Sequence, residues 1–174
     1  MMNLMITCAR HFEPDAEDEI RNVLDELGDS EVKVSISSMS GIITAETKIN
    51  PIDVVCKIRE RLLDEPWSIR YCLRIIPIQK VVETKIEEIE KSVSDFDEQI
   101  PEGETYRILI EKRNSNISSH GIITKIANKI KNKVNLDFPD KIILVEILGN
   151  KTGISILRKQ DILSTEKTKR SISE

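Results

Sequence analysis

Aromatic residues are scarce, making up 3% of the 174 residues. Modules that grip single-stranded bases by stacking need aromatic platforms. Any nucleic-acid binding by this chain should therefore lean on phosphate, ribose, backbone groups and shape. Cysteine is also sparse: Cys8, Cys56 and Cys72 cannot all pair with one another, form no CxxC, and lie far in sequence from His11 and His120. This pattern predicts reduced thiols in a cytoplasmic protein and no metal site. No apolar run approaches the ~18 residues of a membrane span, and the N-terminus lacks a signal-peptide pattern. No membrane partner is expected. Neither G-x-x-x-x-G-K-[ST] nor G-x-G-x-x-G occurs, so no nucleotide cofactor has a recognised cradle. There is no G-x-S-x-G elbow, and His120 follows serines without an Asp-His-Ser context. With no catalytic constellation in view, the expectation is a non-enzyme without cofactor.

What is present is an ordinary soluble balance, 39% hydrophobic and 32% charged, with a formal net charge of −4. Asn3 to Cys8 reads as a strand. Pro14 then opens a helix whose first turn holds Asp15, Glu17, Asp18 and Glu19. These acids complement the helix dipole, a better reading than a magnesium site. Ala16, Ile20, Val23, Leu24 and Leu27 give this helix an apolar face, and Gly28 stops it. Val32, Val34 and Ile36 alternate as a strand, and Ile42 to Ala45 form the next. Asn50-Pro51 caps a second helix with Ile52, Val55, Ile58, Leu62 and Leu63 inward, and residues 69–76 form a strand closed by Pro77. The order strand, helix, strand, strand, helix, strand predicts an α+β, ferredoxin-like unit over residues 1–77.

Beyond Pro77, the residues Val82, Ile86, Ile89, Val93 and Phe96 predict a Glu-rich amphipathic helix. Tyr106 to Glu111 predict a strand, and residues 118–133 a helix capped by Ser118 or Ser119. The run IILVEIL at 142–148 suits a strand buried on both faces. The GNKTG turn resembles a phosphate loop weakly and a hairpin turn better. The second unit is expected to span 78–160, and residues 161–174 read as a polar, flexible tail.

Residues 105–133 hold seven Lys or Arg and one acid inside a net-negative chain. Such a reversal of sign points to a polyanion, although lysines can also simply keep a helix face solvated. Lys125, Lys129 and Lys133, four apart, should share one outer face. Lys112 and Arg113 end the strand beside the helix start, where Ser118 to Gly121 offer free N–H groups to phosphate. Lys151, Arg158 and Lys159 from the hairpin extend the basic set, with Arg74 and Lys80 near the junction.

Residues 105–157 resemble the core of the THUMP domain, a tRNA-binding module. The resemblance rests on YRILIEKRNS, the S-S-H-G-I-I-x-x-I-A-x-x-I helix, V-N-L-D-F-P-D, V-E-I-L-G and G-I-S-I-L, in that order. The preceding unit, ending in R-I-I-P-I, resembles the ferredoxin-like companion domain of such proteins. The implied fold is thus α+β, a ferredoxin-like domain followed by a THUMP domain with a mixed central sheet. The resemblance implies docking on tRNA, in several family members at the acceptor stem and 3′ CCA end, with catalysis supplied by a fused methyltransferase, deaminase or thiouridine synthetase domain. No such domain follows residue 158 in this sequence, which looks most like the stand-alone THUMP proteins that present tRNA to a separate RNA cytidine acetyltransferase. A detached part of a split enzyme and a protein-interaction module without RNA are the alternatives. The resemblance puts Lys112, Arg113, Asn114, the helix start at Ser118, and Lys125 on the RNA, followed by Gly149 to Gly153 and Arg158. With the charge pattern, the candidate RNA-facing set is Lys112, Arg113, Asn114, Ser118, His120, Lys125, Lys129, Lys151, Arg158 and Arg74. Lys112 and Arg113 read as one pair, whose joint change to Glu should weaken tRNA binding and leave the melting temperature unchanged.

Overall fold

A computed structural model describes residues 1–173, with no account of the Asp97 side chain. Two compact units emerge. One joins residues 1–78 to the segment that starts at Gln160, and the other is residues 79–159.

In the first unit the strands are β1 (Leu4–Cys8), β2 (Lys33–Ile36), β3 (Ile42–Glu46) and β4 (Cys72–Pro77), with helices α1 (Glu13–Glu26) and α2 (Pro51–Asp64) between them. The sheet order is β2-β3-β1-β4, each neighbour antiparallel. Ile20, Val23 and Leu24 of α1 and Val54, Val55, Ile58 and Leu62 of α2 pack on Leu4, Ile6, Ile43 and Ile75 of the sheet. Pro51 begins α2 and the Asn50 side chain accepts from the Ile52 N–H, so the cap foreseen from sequence is formed. Gly41 must be glycine: its φ is +75°, and an added Cβ would lie 2.8 Å from the Cys8 carbonyl oxygen.

Two acids of α1, Glu13 and Glu19, brace the fold. Glu19 accepts from the backbone N–H groups of Arg70, Tyr71 and Cys72, tying α1 to the start of β4, and Glu13 accepts from Gly41. Burial raises the Cys72 thiol far above the usual range, and burial also raises Cys8. Among the described residues no group of three or more His, Cys, Asp or Glu is placed to hold a metal, and no helix is long and apolar enough to cross a membrane.

The polar segment after residue 160 is ordered, in contrast to the flexible tail expected from its composition. It forms β9 (Leu163–Ser164), which pairs antiparallel with β4, and α5 (Thr165–Ser173), which packs on α2. Leu163 is fully buried and opposite Ile75, and the Thr165 hydroxyl donates to the Cys72 carbonyl. One apolar side chain and a few side-chain hydrogen bonds anchor a stretch that is otherwise Ser, Thr, Lys and Glu.

Asp29, 2% exposed, accepts from the Thr47 hydroxyl at 2.7 Å and from the Lys48 and Glu31 N–H groups at 2.9 and 3.3 Å. Burial alone would raise its carboxyl, but these hydrogen bonds outweigh it and hold the group below the ordinary carboxylate range. A lowered folded-state value means stability present above the unfolded value, about pH 4, and lost as pH falls through the folded one. Asp29→Ala should cost about 1–3 kcal/mol at pH 7, since it orphans buried donors. Urea midpoints at pH 7 and pH 3 should converge in Asp29→Asn relative to the unsubstituted protein. An unchanged gap would show that Asp29 does not contribute to the acid sensitivity.

The second unit consists of β5 (Lys80–Glu83), α3 (Ile86–Asp95), β6 (Tyr106–Arg113), α4 (Ser119–Lys129), β7 (Lys141–Leu148) and β8 (Lys151–Leu157). Its sheet order is β5-β8-β7-β6, with β6 and β7 parallel and the other pairs antiparallel, a mixed sheet. Ile89 and Val93 of α3 and Ile122 and Ile126 of α4 pack on Ile143, Val145, Ile147, Ile154 and Ile156. Residues 80–83 fit the helical period that predicts a helix from Val82, yet they pair with β8, and α3 begins at Ile86. KVVE is rich in β-branched side chains, and a strand partner far along the chain decides its state.

Candidate nucleic-acid interface

The βαβ unit β6-α4-β7 sets the geometry. Parallel β6 and β7 both end at one rim of the sheet, and α4 starts there and runs back to the other rim. Arg113, Leu148, Lys151 and Glu83 lie in register across the first rim. Asn114 follows in the left-handed region, φ +53°, and starts the loop to α4. Ser118 caps α4, its hydroxyl accepting from the Gly121 N–H at 3.0 Å. Among the described residues the N–H groups of Ser119 and His120 have no acceptor, so the positive end of α4 faces outward. Gly121 lets this turn close on α3, since an added Cβ would meet Ile86 Cδ1 at 3.2 Å.

Lys112 and Arg113 take opposite sides of β6. Ile108 and Ile110 face the helices, and by strand alternation Lys112 does too. Its ammonium donates to the Ile117 carbonyl at 3.0 Å, which holds the charge beside the α4 start. Arg113 is on the reverse side and donates through Nη1 to Glu146 at 2.9 Å. Glu146 is fully buried on β7, and the Arg113 side chain is 28% exposed. The two residues therefore do not act as one pair. Lys112 is available at the rim, while Arg113 neutralises an interior carboxylate. Sequence reasoning missed Glu146, although the lone acid inside IILVEIL was a signal, because a charge in a buried strand needs a partner.

The lysine stripe divides as well. Lys125 is exposed with no partner among the described residues, whereas Lys129 pairs with Glu90 of α3 at 2.9 Å. Lys133 is not on α4 at all. The helix ends at Lys129, Ile130 is extended, and the Asn132 amide donates to the carbonyls of Pro101 and Glu104. The Lys133 carbonyl then accepts from Tyr106 N–H, at the opposite rim. Arg158 follows Leu157, which is opposite Ile142, so it too belongs to that other rim, roughly 20 Å from the Arg113 row at about 3.3 Å per residue. Lys151 faces Glu83, whose carboxyl is lowered by Lys85 first and by Lys151 in addition. Arg74 is on β4 in the first unit, opposite Thr7 and Ser164. The structure thus gathers Lys112, Asn114, Ser118, His120 and Lys151 at one rim with Arg113 beneath, and places Lys125 midway along α4.

A sequence profile of the THUMP domain matches residues 83–157, so the chain carries a THUMP domain there. An uncharacterised protein of Methanocaldococcus jannaschii is 26% identical over 178 residues, which take in 99% of this chain and 46% of the relative. Among solved structures, a Pyrococcus horikoshii protein matches 94% of this chain and 55% of its own at TM-score 0.63 and 19% identity. TrmN from Thermus thermophilus matches 90% and 45% at TM-score 0.59 and 13% identity. A 4-thiouridine synthetase solved with RNA and ATP matches 94% and 42% at TM-score 0.56 and 15% identity. At these identities the likeness to solved structures is one of fold, and the chain spans about half the length of the proteins it matches.

Proposed function

We propose that this chain is a non-catalytic, cytoplasmic tRNA-binding adaptor that presents tRNA to a separate RNA cytidine acetyltransferase. The observation that carries the RNA part is the rim where Lys112 stands beside the uncovered N–H groups of the α4 start. Phosphate fits such a place through both charge and hydrogen bonding. The THUMP match over 83–157 supports tRNA as the polyanion, with the acceptor stem and 3′ CCA end as its docking region. We read the first unit as ferredoxin-like, in line with the order β2-β3-β1-β4 of its first four strands, to which β9 adds an edge. A second reading is the RNA-binding part of a split methyltransferase or thiouridine synthetase. It is supported by fold neighbours that include a putative methyltransferase and a 4-thiouridine synthetase.

Fluorescence anisotropy with whole tRNA should give salt-sensitive binding, with a log–log slope of about −2 to −4 from roughly 3–5 phosphate contacts. Absent or salt-independent binding would sink the RNA reading. Removal of the gene then separates the two enzymatic contexts. Loss of acetylcytidine from tRNA supports the adaptor, and loss of a methyl or thio mark supports the split enzyme.

A further inference from the structure

We infer that the loop between α4 and β7 is a second RNA contact, in which Phe138 stacks on an unpaired nucleotide while Lys131 and Lys133 meet its phosphates. The inference rests on the tRNA reading above and adds a contact at the opposite rim of the same sheet.

Three bulky apolar side chains stand in solvent on this loop: Val134 is 54% exposed, Leu136 63% and Phe138 84%. Such exposure usually marks a binding surface. The loop is also held in shape. Tyr106 N–H donates to the Lys133 carbonyl, and Asn135 N–H donates to the Tyr106 carbonyl. The Asn135 side chain accepts from the N–H groups of Asp137 and Phe138, closing a tight turn under the aromatic ring. Arg107 donates to the Leu136 carbonyl, and Asp140 accepts from Thr105 through both its N–H and its hydroxyl. The Phe138 ring therefore stands on a fixed turn, which lowers the ordering cost of binding.

The surroundings favour RNA over a protein partner. Exposed Lys125 lies midway along α4, and the exposed side chains of Lys131 and Lys133 have no partner among the described residues. The basic track thus continues from the Lys112 rim to this loop, with about 16 Å of α4 between them at 1.5 Å per residue. Beside Lys131 and Lys133 lies an open hollow of about 880 Å³, lined also by Ile100, Glu102, Glu104, Thr105 and Ile130, with the Glu104 carboxylate neutralised by Lys141. Scarcity of aromatics predicted binding without stacking. One exposed ring in this unit suffices for one nucleotide, because every base offers a π-face.

The test compares a stem-loop RNA carrying an unpaired tail with the same stem cut blunt, using the intact protein. Phe138→Ala should weaken binding to the tailed RNA by about fivefold or more, the lower end of what one stacked base contributes, and leave the blunt stem unchanged. Phe138→Trp in a Trp67→Phe background should keep the affinity and lose fluorescence on adding the tailed RNA only. Equal weakening on both RNAs, or on neither, overturns the inference. If sedimentation instead shows Phe138→Ala abolishing self-association with RNA binding intact, the patch belongs to a second copy of the chain. Binding that Lys112→Glu weakens and Phe138→Ala does not removes this inference alone. Failure of the unsubstituted protein to bind either RNA removes the tRNA reading and this one with it.

Discussion

Replacing Arg113 with alanine should lower the stability of the second unit by about 3 kcal/mol, and its melting temperature by roughly 12–24 °C. The cause is Glu146, a fully buried carboxylate that Arg113 meets at 2.9 Å. Removing one partner of a buried ion pair costs about 3–5 kcal/mol, because the remaining charge loses its counter-charge in a medium that solvates it poorly. The low end applies here, since the Arg113 side chain keeps 28% of its exposure and water reaches it. Neutralising both sides in Arg113→Met/Glu146→Gln should recover more than half of the loss, as the charge penalty disappears with the charge. Circular dichroism melts check both variants. A wild-type melt for Arg113→Ala would mean that the pair contributes nothing to the fold.

Lys112→Glu should do the opposite, weakening tRNA binding more than about tenfold, or ~1.4 kcal/mol, while moving the melting temperature by no more than about 2 °C. Its ammonium is exposed and donates to a single loop carbonyl, that of Ile117, so little of the fold depends on it. At the α4 start a carboxylate would repel the phosphate that the helix end attracts. Lys112→Met, which removes charge without reversing it, should fall between the two in anisotropy titrations. Unchanged affinity in Lys112→Glu would move the RNA site away from this rim. Changing Lys112 and Arg113 together would mix two effects that the structure assigns to separate faces of β6, and a drop in binding could then reflect unfolding.

Much of the architecture was legible because local pattern and tertiary role agree. The apolar face of α1, the Asn50-Pro51 cap, the Ser118 cap and the doubly buried β7 all carry their signal within a few residues. The face of α2 does so except at Leu63, which is exposed while Val54 is buried. The misreadings share a different cause, which is partners far along the chain. Lys80–Glu83 becomes a strand because β8 lies beside it, some seventy residues later. Apolar Ile130 prolongs the helical period, yet α4 stops at Lys129, and the next segment is held by Asn132 bonds to the 101–104 turn. The lysine stripe loses Lys133 to that stop and Lys129 to Glu90, neither of which spacing alone reveals. At the site, the residue types at the strand end and helix start were readable. That Lys112 and Arg113 face opposite ways follows from strand alternation, but that Arg113 serves Glu146 needed the parallel register of β6 and β7.

The return of β9 to β4 has a consequence for how the molecule comes into being. Ile75 finds its neighbour Leu163 only after the whole second unit has been synthesised. During translation residues 79–159 can therefore close before the sheet begun by the first strands is complete. Until then the outer edge of β4 is open, a template for another chain that β9 later occupies. The part of the protein made first is the part finished last.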